Sequence, residues 1–322
     1  MTPDDDYTHD VTDEPNFNES MYFQFYDGDA GLGGFLRLAN RPNEGHAECT
    51  VCLYLPDGRV AFSYDRPTIT GNDRLSSGGL TITVLEPMES LEVTFEGEVN
   101  MLADPHSLAD PKAALSTSPT VGVTARLTFS RVGPPYAETF DDDGGSFAPN
   151  HYEQSMRVAG DVTIDGESRT VAGYGLRDHS WGPRSWQAPW FYRWAHGTGG
   201  SVSFMAAYFG NPDGTSRRGG FVVDDGELIR CDSVEITTSR DESDYQRNTV
   251  VTLSCADRAW VFEGDVHSSV PLRNRKRDGD GWAITRIVEG ATVWTTPRGE
   301  TIHGMTEYLD QIVDAVPVGL SV

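Results

Sequence analysis

The sequence of 322 residues contains few cysteines and few basic residues. Its four cysteines are too few for a disulfide scaffold in a chain of this length, and they fit a reducing compartment. The 25 Lys and Arg residues are outnumbered by 49 Asp and Glu residues, which gives a formal net charge of -24. The one basic cluster is Arg273–Arg277. Because an acidic surface repels nucleic acids and anionic membranes, we expect neither as a partner.

Long hydrophobic runs are also missing. No stretch approaches the roughly 18 apolar residues that a membrane-spanning helix needs. The first residues, Met1–Asp6, lack the basic and apolar regions of a signal peptide. We therefore predict a cytoplasmic protein without an integral membrane segment. The sequence does not fix the oligomeric state, and a homodimer is compatible with it.

Familiar cofactor and metal motifs are absent from the sequence. It has no P-loop, no GxGxxG between a strand and a helix, no HExxH and no EF-hand loop. Cys49 and Cys52 form a CxxC after His46, but the segment alternates like a strand, in which residues three apart point to opposite faces. No second CxxC completes a zinc site, so we interpret both as buried strand cysteines. The sequence thus predicts no cofactor and no metal.

Strand patterns dominate the sequence, whereas helix patterns are scarce. About sixteen segments alternate between apolar and polar residues with a period of two. Turn pairs such as Asp165-Gly166 and Asp225-Gly226 separate them and are typical of hairpins. Only Ser107–Leu115 and Met305–Val313 have the pattern of a short helix. Many antiparallel strands with short connections predict barrels or sandwiches, and their number exceeds what one eight-stranded barrel uses.

The pattern therefore predicts an all-β protein with two β-barrels or two sandwiches in tandem. Residues 1–18 are acidic and lack apolar periodicity, so we predict a mobile tail there. The predicted barrels span residues 19–182 and 183–322. A stretch rich in Pro, Gly and Asp at residues 133–149 is too long for a routine connection, and it is predicted to be a lid, a binding loop or a disordered linker.

The segment Gly173–His196 combines several tryptophans with many ionisable residues. If its C-terminal end is a strand, alternation creates an aromatic face there, formed by Trp190, Tyr192, Trp194 and His196. Arg193 would then lie on the opposite face. An aromatic face can bind a flat apolar ligand or stabilise a cation, or it can simply fill a barrel core.

Asp178, His179 and Ser180 do not make a hydrolytic triad, because neighbours in an extended chain point to opposite sides. No GxSxG nucleophile elbow is present either. We predict that either Asp178 or His179 is a general acid or base, while the other pairs with Arg177 or Arg184. The alternative is a salt-bridge cluster that plugs a barrel end. His151 and Glu153 are two residues apart on one strand face, where they would donate to a substrate or brace this segment.

These residues resemble the signature of a known superfamily. His151–Gln154, then Val162–Gly166, and finally Gly173-Tyr-Gly-Leu-Arg-Asp-His-Ser-Trp-Gly-Pro-Arg-Ser-Trp186 are similar to the AttH-like, carotenoid 1,2-hydratase-like superfamily. The resemblance implies two lipocalin-like barrels in tandem. It also implies acid-initiated chemistry on apolar, often isoprenoid or aromatic-prenyl substrates, which covers water addition to a C=C bond, cyclisation and pericyclic closure. The positions that stand in the shared motif are Arg177, Asp178, His179 and Trp181.

Three functions are compatible with these residues. The first is a cofactor-independent hydratase, isomerase or cyclase that acts on a small lipophilic molecule. Its catalytic residues would be Arg177, Asp178 and His179, and its substrate-binding residues would be Trp181, Trp186, Trp190, Tyr192, Trp194, His151, Glu153 and Arg193. The second is a lipocalin-like carrier that binds a hydrophobic molecule unchanged, and the third is a structural clasp between the two domains. The ionisable residues favour the enzyme, because a carrier needs mainly apolar walls.

Overall fold

Antiparallel strands form most of the protein. The computed structural model describes residues 1–137, 147 and 149–322. Most of the loop predicted at 133–149, namely residues 138–146 and 148, lies outside the described residues. The chain forms two compact units, of which the first contains residues 1–104 and 117–185 and the second contains residues 105–116 and 186–322.

Within its described residues, the first unit contains two short 3-10 helices and an eleven-stranded antiparallel sheet. The 3-10 helices are Pro3–Asp6 and Pro42–Glu44. The strands are β1 (Phe17–Asp27), β2 (Leu32–Arg41), β3 (His46–Tyr54), β4 (Val60–Asp65), β5 (Ser76–Ser77), β6 (Leu80–Glu86), β7 (Ser90–Leu102), β8 (Thr120–Arg131), β9 (Tyr136–Ala137), β10 (Asn150–Ile164) and β11 (Glu167–Pro183).

Eight of these strands close into a ring. Their order is β4-β3-β2-β1-β11-β10-β8-β7, and β4 pairs with β7 through Val60 and Leu102. Alternate side chains of the strands point into a common core, in which the rings of Phe23 and Phe129 meet edge to face at 4.9 Å. This closed antiparallel ring confirms the lipocalin-like barrel that the sequence analysis predicted.

The second unit has a 3-10 helix, a short α-helix and a ten-stranded antiparallel sheet. The helices are Pro105–Ala109 and α1 (Pro111–Thr117). The strands are β12 (Phe191–Thr198), β13 (Val202–Gly210), β14 (Ser216–Asp224), β15 (Glu227–Cys231), β16 (Ser233–Arg240), β17 (Gln246–Cys255), β18 (Arg258–Asp278), β19 (Gly281–Thr295), β20 (Thr301–Val313) and β21 (Val316–Pro317). The main path runs β15-β14-β13-β12-β20-β19-β18-β17-β16, around a core in which Phe204 stacks on Phe262 at 3.9 Å.

One of the two predicted helices is wrong. Met305–Val313 belongs to β20, which pairs with both β12 and β19 along its length. Every residue of β20 from Gly304 to Gln311 is buried, so both faces of the strand are covered and its residues lose the alternation by which a strand is recognised. The other predicted helix, Ser107–Leu115, overlaps α1 and the 3-10 helix before it. In the described part of the chain, no helix has both the length and the apolar character to cross a membrane.

The N-terminal segment packs against the first unit, in contrast to the mobile tail expected at residues 1–18. Asp6 at the end of the first 3-10 helix is fully buried, and His9 is partly buried beside Glu19. The amide of Asn43 donates to the backbone oxygens of Thr12 and Glu14, so later residues of the segment are held as well. The polar composition of the segment therefore reflects ion pairs rather than a lack of contacts.

The basic cluster Arg273–Arg277 lies near the tip of the β18–β19 hairpin. The guanidinium carbons of Arg275 and Arg277 lie 4.7 and 4.3 Å from the ring centroid of Trp282. Trp282 is 47% exposed. Part of this positive charge therefore shields an exposed indole ring.

Glycines of the motif allow β1 and β11 to approach closely. A Cβ atom on Gly175 would lie 1.8 Å from the carbonyl oxygen of Gln24, and one on Gly173 would lie 2.1 Å from that of Tyr26. Because these neighbours are backbone atoms, the strands would have to separate to admit a side chain. The glycines thus fix how β11 sits beside β1.

We expect Gly175→Ala to lower the free energy of unfolding by about 3 kcal/mol, because it overpacks a strand pair. Urea denaturation monitored by circular dichroism would measure the change. Gly122→Ala is the matched control, since a Cβ atom there meets nothing within 4 Å. Equal midpoints for the two variants would contradict the close approach.

Candidate active site

The motif lies on β11, between β1 and β10, and alternation sorts its residues onto two sides of the sheet. Arg177 is opposite Phe23 and His179 is opposite Met21, both of which point into the barrel core. Asp178 therefore points to the outer side. This confirms that Asp178 and His179 are not members of one hydrolytic triad.

Arg177 is held on the inner side by buried polar groups. Its Nη1 contacts Asp6 Oδ1 and donates to Tyr152 Oη at 3.1 Å, while Nε and Nη2 donate to Gln154 Oε1 at 2.8 and 2.6 Å. Burial by itself raises the pKa of the Asp6 carboxyl, but the charge and hydrogen bond of Arg177 lower it overall. The side chains of Arg177 and Asp6 form a buried ion pair.

His179 lies beside this pair and is fully buried. Its Nε2 lies 2.5 Å from Glu19 Oε1, and its Nδ1 lies 3.3 Å from Tyr152 Oη. His9 contacts the same oxygen of Glu19 through Nδ1 at 3.0 Å, and its ring stacks on Trp181 at 3.8 Å. Burial raises the pKa of the Glu19 carboxyl, but hydrogen bonds from the two histidines lower it to about 2. These inner residues therefore form one connected polar cluster at an end of the barrel.

A second cluster lies on the outer side and contains His151, Glu153 and Asp178. His151 Nε2 contacts Asp178 Oδ2 and lies 3.5 Å from Glu153 Oε1. The side chains of His151 and Asp178 are 12% and 16% exposed. Burial raises the pKa of the Asp178 carboxyl, but the charge and hydrogen bond of His151, with the charge of Arg184, lower it overall. The predicted proximity of His151 and Glu153 is thus observed, and Asp178 joins them.

Buried polar groups surround this outer cluster. Ser20 is opposite Ser180, and Gln24 and Ser155 both flank Leu176, two residues before Asp178. Among the described residues, Ser20 Oγ, Gln24 Oε1 and Ser155 Oγ are buried without a hydrogen-bond partner. Buried polar atoms normally have partners, so unpaired ones point to bound polar groups or ordered water.

The aromatic residues predicted to bind substrate lie in the second unit, except Trp181. Tyr192 and Trp194 share one side of β12 with His196, and the rings of Trp194 and His196 are 4.6 Å apart. Trp186 and Trp190 precede this strand, and their carbonyl oxygens accept hydrogen bonds from Gln311.

Arg193 lies on the opposite side of β12 and is fully buried. It donates to Asp310 Oδ1 at 2.8 Å and to the carbonyl oxygens of Tyr192 and Leu309 at 2.8 and 3.1 Å. These contacts are those of a structural anchor, whereas the sequence analysis predicted a substrate-binding residue.

Sequence reasoning missed five residues of the inner cluster, which are Asp6, His9, Glu19, Tyr152 and Gln154. Asp6 and His9 lie in a segment whose composition resembles a tail. For Glu19 the sequence does contain a signal. This residue directly precedes the apolar run of β1, and a charged side chain that is buried there needs a partner.

A family model described as Domain of unknown function (DUF7064) matches residues 2–312. The chain belongs to the DUF7064 family. No curated protein matches this DUF7064 chain.

Solved structures of low sequence identity share the fold of this DUF7064 protein. An AttH-like protein from Nitrosomonas europaea is 14% identical, with 96% of each chain covered and a TM-score of 0.62. CghA with Sch210972 is 14% identical, with 92% of this chain and 88% of that chain covered and a TM-score of 0.56. Kievitone hydratase from Nectria haematococca is 12% identical, with 94% and 90% covered and a TM-score of 0.54. These likenesses confirm the AttH-like, hydratase-like resemblance at the level of the fold.

Proposed function

We propose that this DUF7064 protein is an enzyme of the hydratase, isomerase or cyclase type that transfers a proton to or from a small lipophilic molecule. The observation that carries the proposal is the outer cluster of His151, Glu153 and Asp178. An imidazole in contact with a carboxylate can give up a proton in one step and recover it in another. The unpaired polar atoms beside Asp178 support a bound water or hydroxyl group there.

The geometry favours Asp178, paired with His151, over His179 as the group that transfers the proton. His179 is fully buried, and Glu19 and Tyr152 occupy both of its ring nitrogens. The side chains of Asp178 and His151 are partly exposed. Arg177 and His179 then act as positioning residues. They precede and follow Asp178 on β11, and their contacts on the inner side of the sheet hold that strand in place.

A hydration at this cluster balances without a further reactant. The His151–Asp178 pair gives a proton to one carbon of a C=C bond, and the oxygen of a water molecule bonds to the other carbon. One of the two protons of that water passes to the pair, which returns to its starting state, and the other stays on the new hydroxyl group. Carboxyl and imidazolium groups are weak acids, so we expect a double bond activated by conjugation with a carbonyl or phenolic group rather than an isolated alkene.

The named neighbours add support. Kievitone hydratase is a hydratase by its name, and CghA is seen with the small molecule Sch210972. The side of β12 that carries Trp194 and Tyr192 stays a separate proposal, an aromatic surface for an apolar ligand within the second unit by itself. Trp181 stacks on His9, which favours a structural role for that ring.

The proposal is tested by native mass spectrometry of the purified protein after incubation with a cell lipid extract. We expect wild type to change the mass of a bound ligand by one water or, for an isomerisation at constant mass, to change the chromatographic retention of the released ligand. Asp178→Asn should slow the conversion by about 10²–10⁴-fold. Glu167→Gln, an exposed change on the same strand, is the control. A ligand that wild type binds without changing it would show that the protein is a carrier. A variant that is less stable but converts the ligand normally while folded would show that Asp178 belongs to a structural clasp.

A further inference from the structure

Three potential metal ligands of the inner cluster converge at an end of the first barrel. The ligand atoms of His9, Glu19 and His179 all lie within 4.8 Å of one another. Glu19 and His179 are 0% exposed and His9 is 21% exposed. Nδ1 of His9 and Nε2 of His179 both point at the same atom, Glu19 Oε1.

The other polar atoms of these three side chains already have hydrogen-bond partners. Nε2 of His9 lies 3.5 Å from Asp5 Oδ1, and Nδ1 of His179 lies 3.3 Å from Tyr152 Oη. Glu19 Oε2 accepts hydrogen bonds from the backbone N–H of His9 at 2.9 Å and from Asn72 Nδ2 at 3.2 Å. Histidines that bind metals typically hold an oxygen acceptor with the second ring nitrogen, as both histidines do here.

We propose that His9, Glu19 and His179 bind one divalent transition-metal ion, for which zinc is the best match. Two imidazoles and a carboxylate are a ligand set that zinc takes, with a fourth position left for water or an anion. Zinc bonds of about 2.0–2.1 Å require ligand atoms roughly 3.3 Å apart, which the rings reach by moving less than about 1 Å.

The outer cluster is the poorer metal site. His151 is its only nitrogen ligand, and zinc sites are rich in nitrogen or sulfur. Because the inner site joins the N-terminal segment to β1 and β11, the ion would tie that segment to the end of the barrel. This role is separate from the function proposed for the outer cluster.

The experiment is metal binding to full-length protein that has been dialysed against a chelator. We expect wild type to bind one equivalent of Zn²⁺ by elemental analysis, and Co²⁺ to give the visible absorption of a low-symmetry four-coordinate site. His9→Gln should weaken binding by more than about 100-fold, because it removes a ligand and not merely a supporting group. His151→Gln is the matched control, and it should bind as wild type does.

Thermal unfolding provides a second measurement, since an ion that binds only the folded state raises the midpoint. Zn²⁺ should raise the midpoint of wild type and of His151→Gln, but not that of His9→Gln. Failure of wild type to bind either ion would overturn the proposal. Equal binding by His9→Gln, or a loss confined to His151→Gln, would overturn it as well.

Discussion

Replacing Asp6 with alanine is expected to lower the free energy of unfolding by about 3–5 kcal/mol, because it leaves the Arg177 guanidinium buried without its counter-charge. Asp6 also accepts hydrogen bonds from the Tyr152 hydroxyl at 2.5 Å and from the backbone of Met88. One side chain thus holds together the N-terminal segment, β10, β11 and the turn before β7.

The pH dependence of this effect has a definite sign. The pKa of Asp6 is lower in the folded protein than its ordinary value of 3.8, so its contribution is complete above that value. The contribution is lost as the pH falls through the folded pKa. We therefore expect wild type and Asp6→Ala to differ fully at pH 7 and to converge below about pH 4.

Urea denaturation at several pH values would measure both effects, and hydrogen exchange of the β11 amides would localise them. Asp4→Asn is the matched control, because Asp4 is exposed in the same 3-10 helix. A difference that persists unchanged at pH 2 would refute the ion-pair explanation. Equal stability of Asp6→Ala and wild type at pH 7 would show that the N-terminal segment is mobile after all.

Arg193→Met is expected to have an effect of similar size in the second unit, about 3 kcal/mol. The substitution removes the main partner of Asp310, which is fully buried, and it frees the carbonyl oxygens of Tyr192, Leu309 and Gly319. Arg286 lies 3.4 Å from the other oxygen of Asp310, so part of the charge stays compensated. The loss should therefore fall at the lower end of the range for buried pairs.

This variant also separates two roles of Arg193. As an anchor, it should lower the unfolding midpoint and leave ligand affinity unchanged below the transition. As a substrate-binding residue, it should weaken ligand binding with little change in stability. Arg247→Met is the control, since Arg247 is an exposed arginine of β17 in the same unit. A midpoint shared by Arg193→Met and Arg247→Met would contradict the structural role.

Local sequence patterns gave correct predictions where residues close together in the sequence decide the structure. Alternation predicted most strands, the opposite orientations of Asp178 and His179, and the shared face of His151 and Glu153. It failed at Met305–Val313, where burial on both faces removes the period-two signal. Residues 105–116 belong to the second unit although they lie within the sequence of the first, and no local pattern encodes that assignment.

The sequence by itself determined the all-β class and the strands on either side of the motif, because these follow from periodicity and turns. The choice of tandem barrels came from the resemblance of the motif to the AttH-like superfamily. Only the tertiary structure decided the partners of that strand. His179 contacts Glu19, which lies 160 positions away in the sequence, and Arg177 contacts Asp6, which lies 171 positions away. No local pattern encodes contacts between residues so far apart in the sequence. Barrel closure brings these residues together, because it places β1 beside β11 and the N-terminal segment at the end they share.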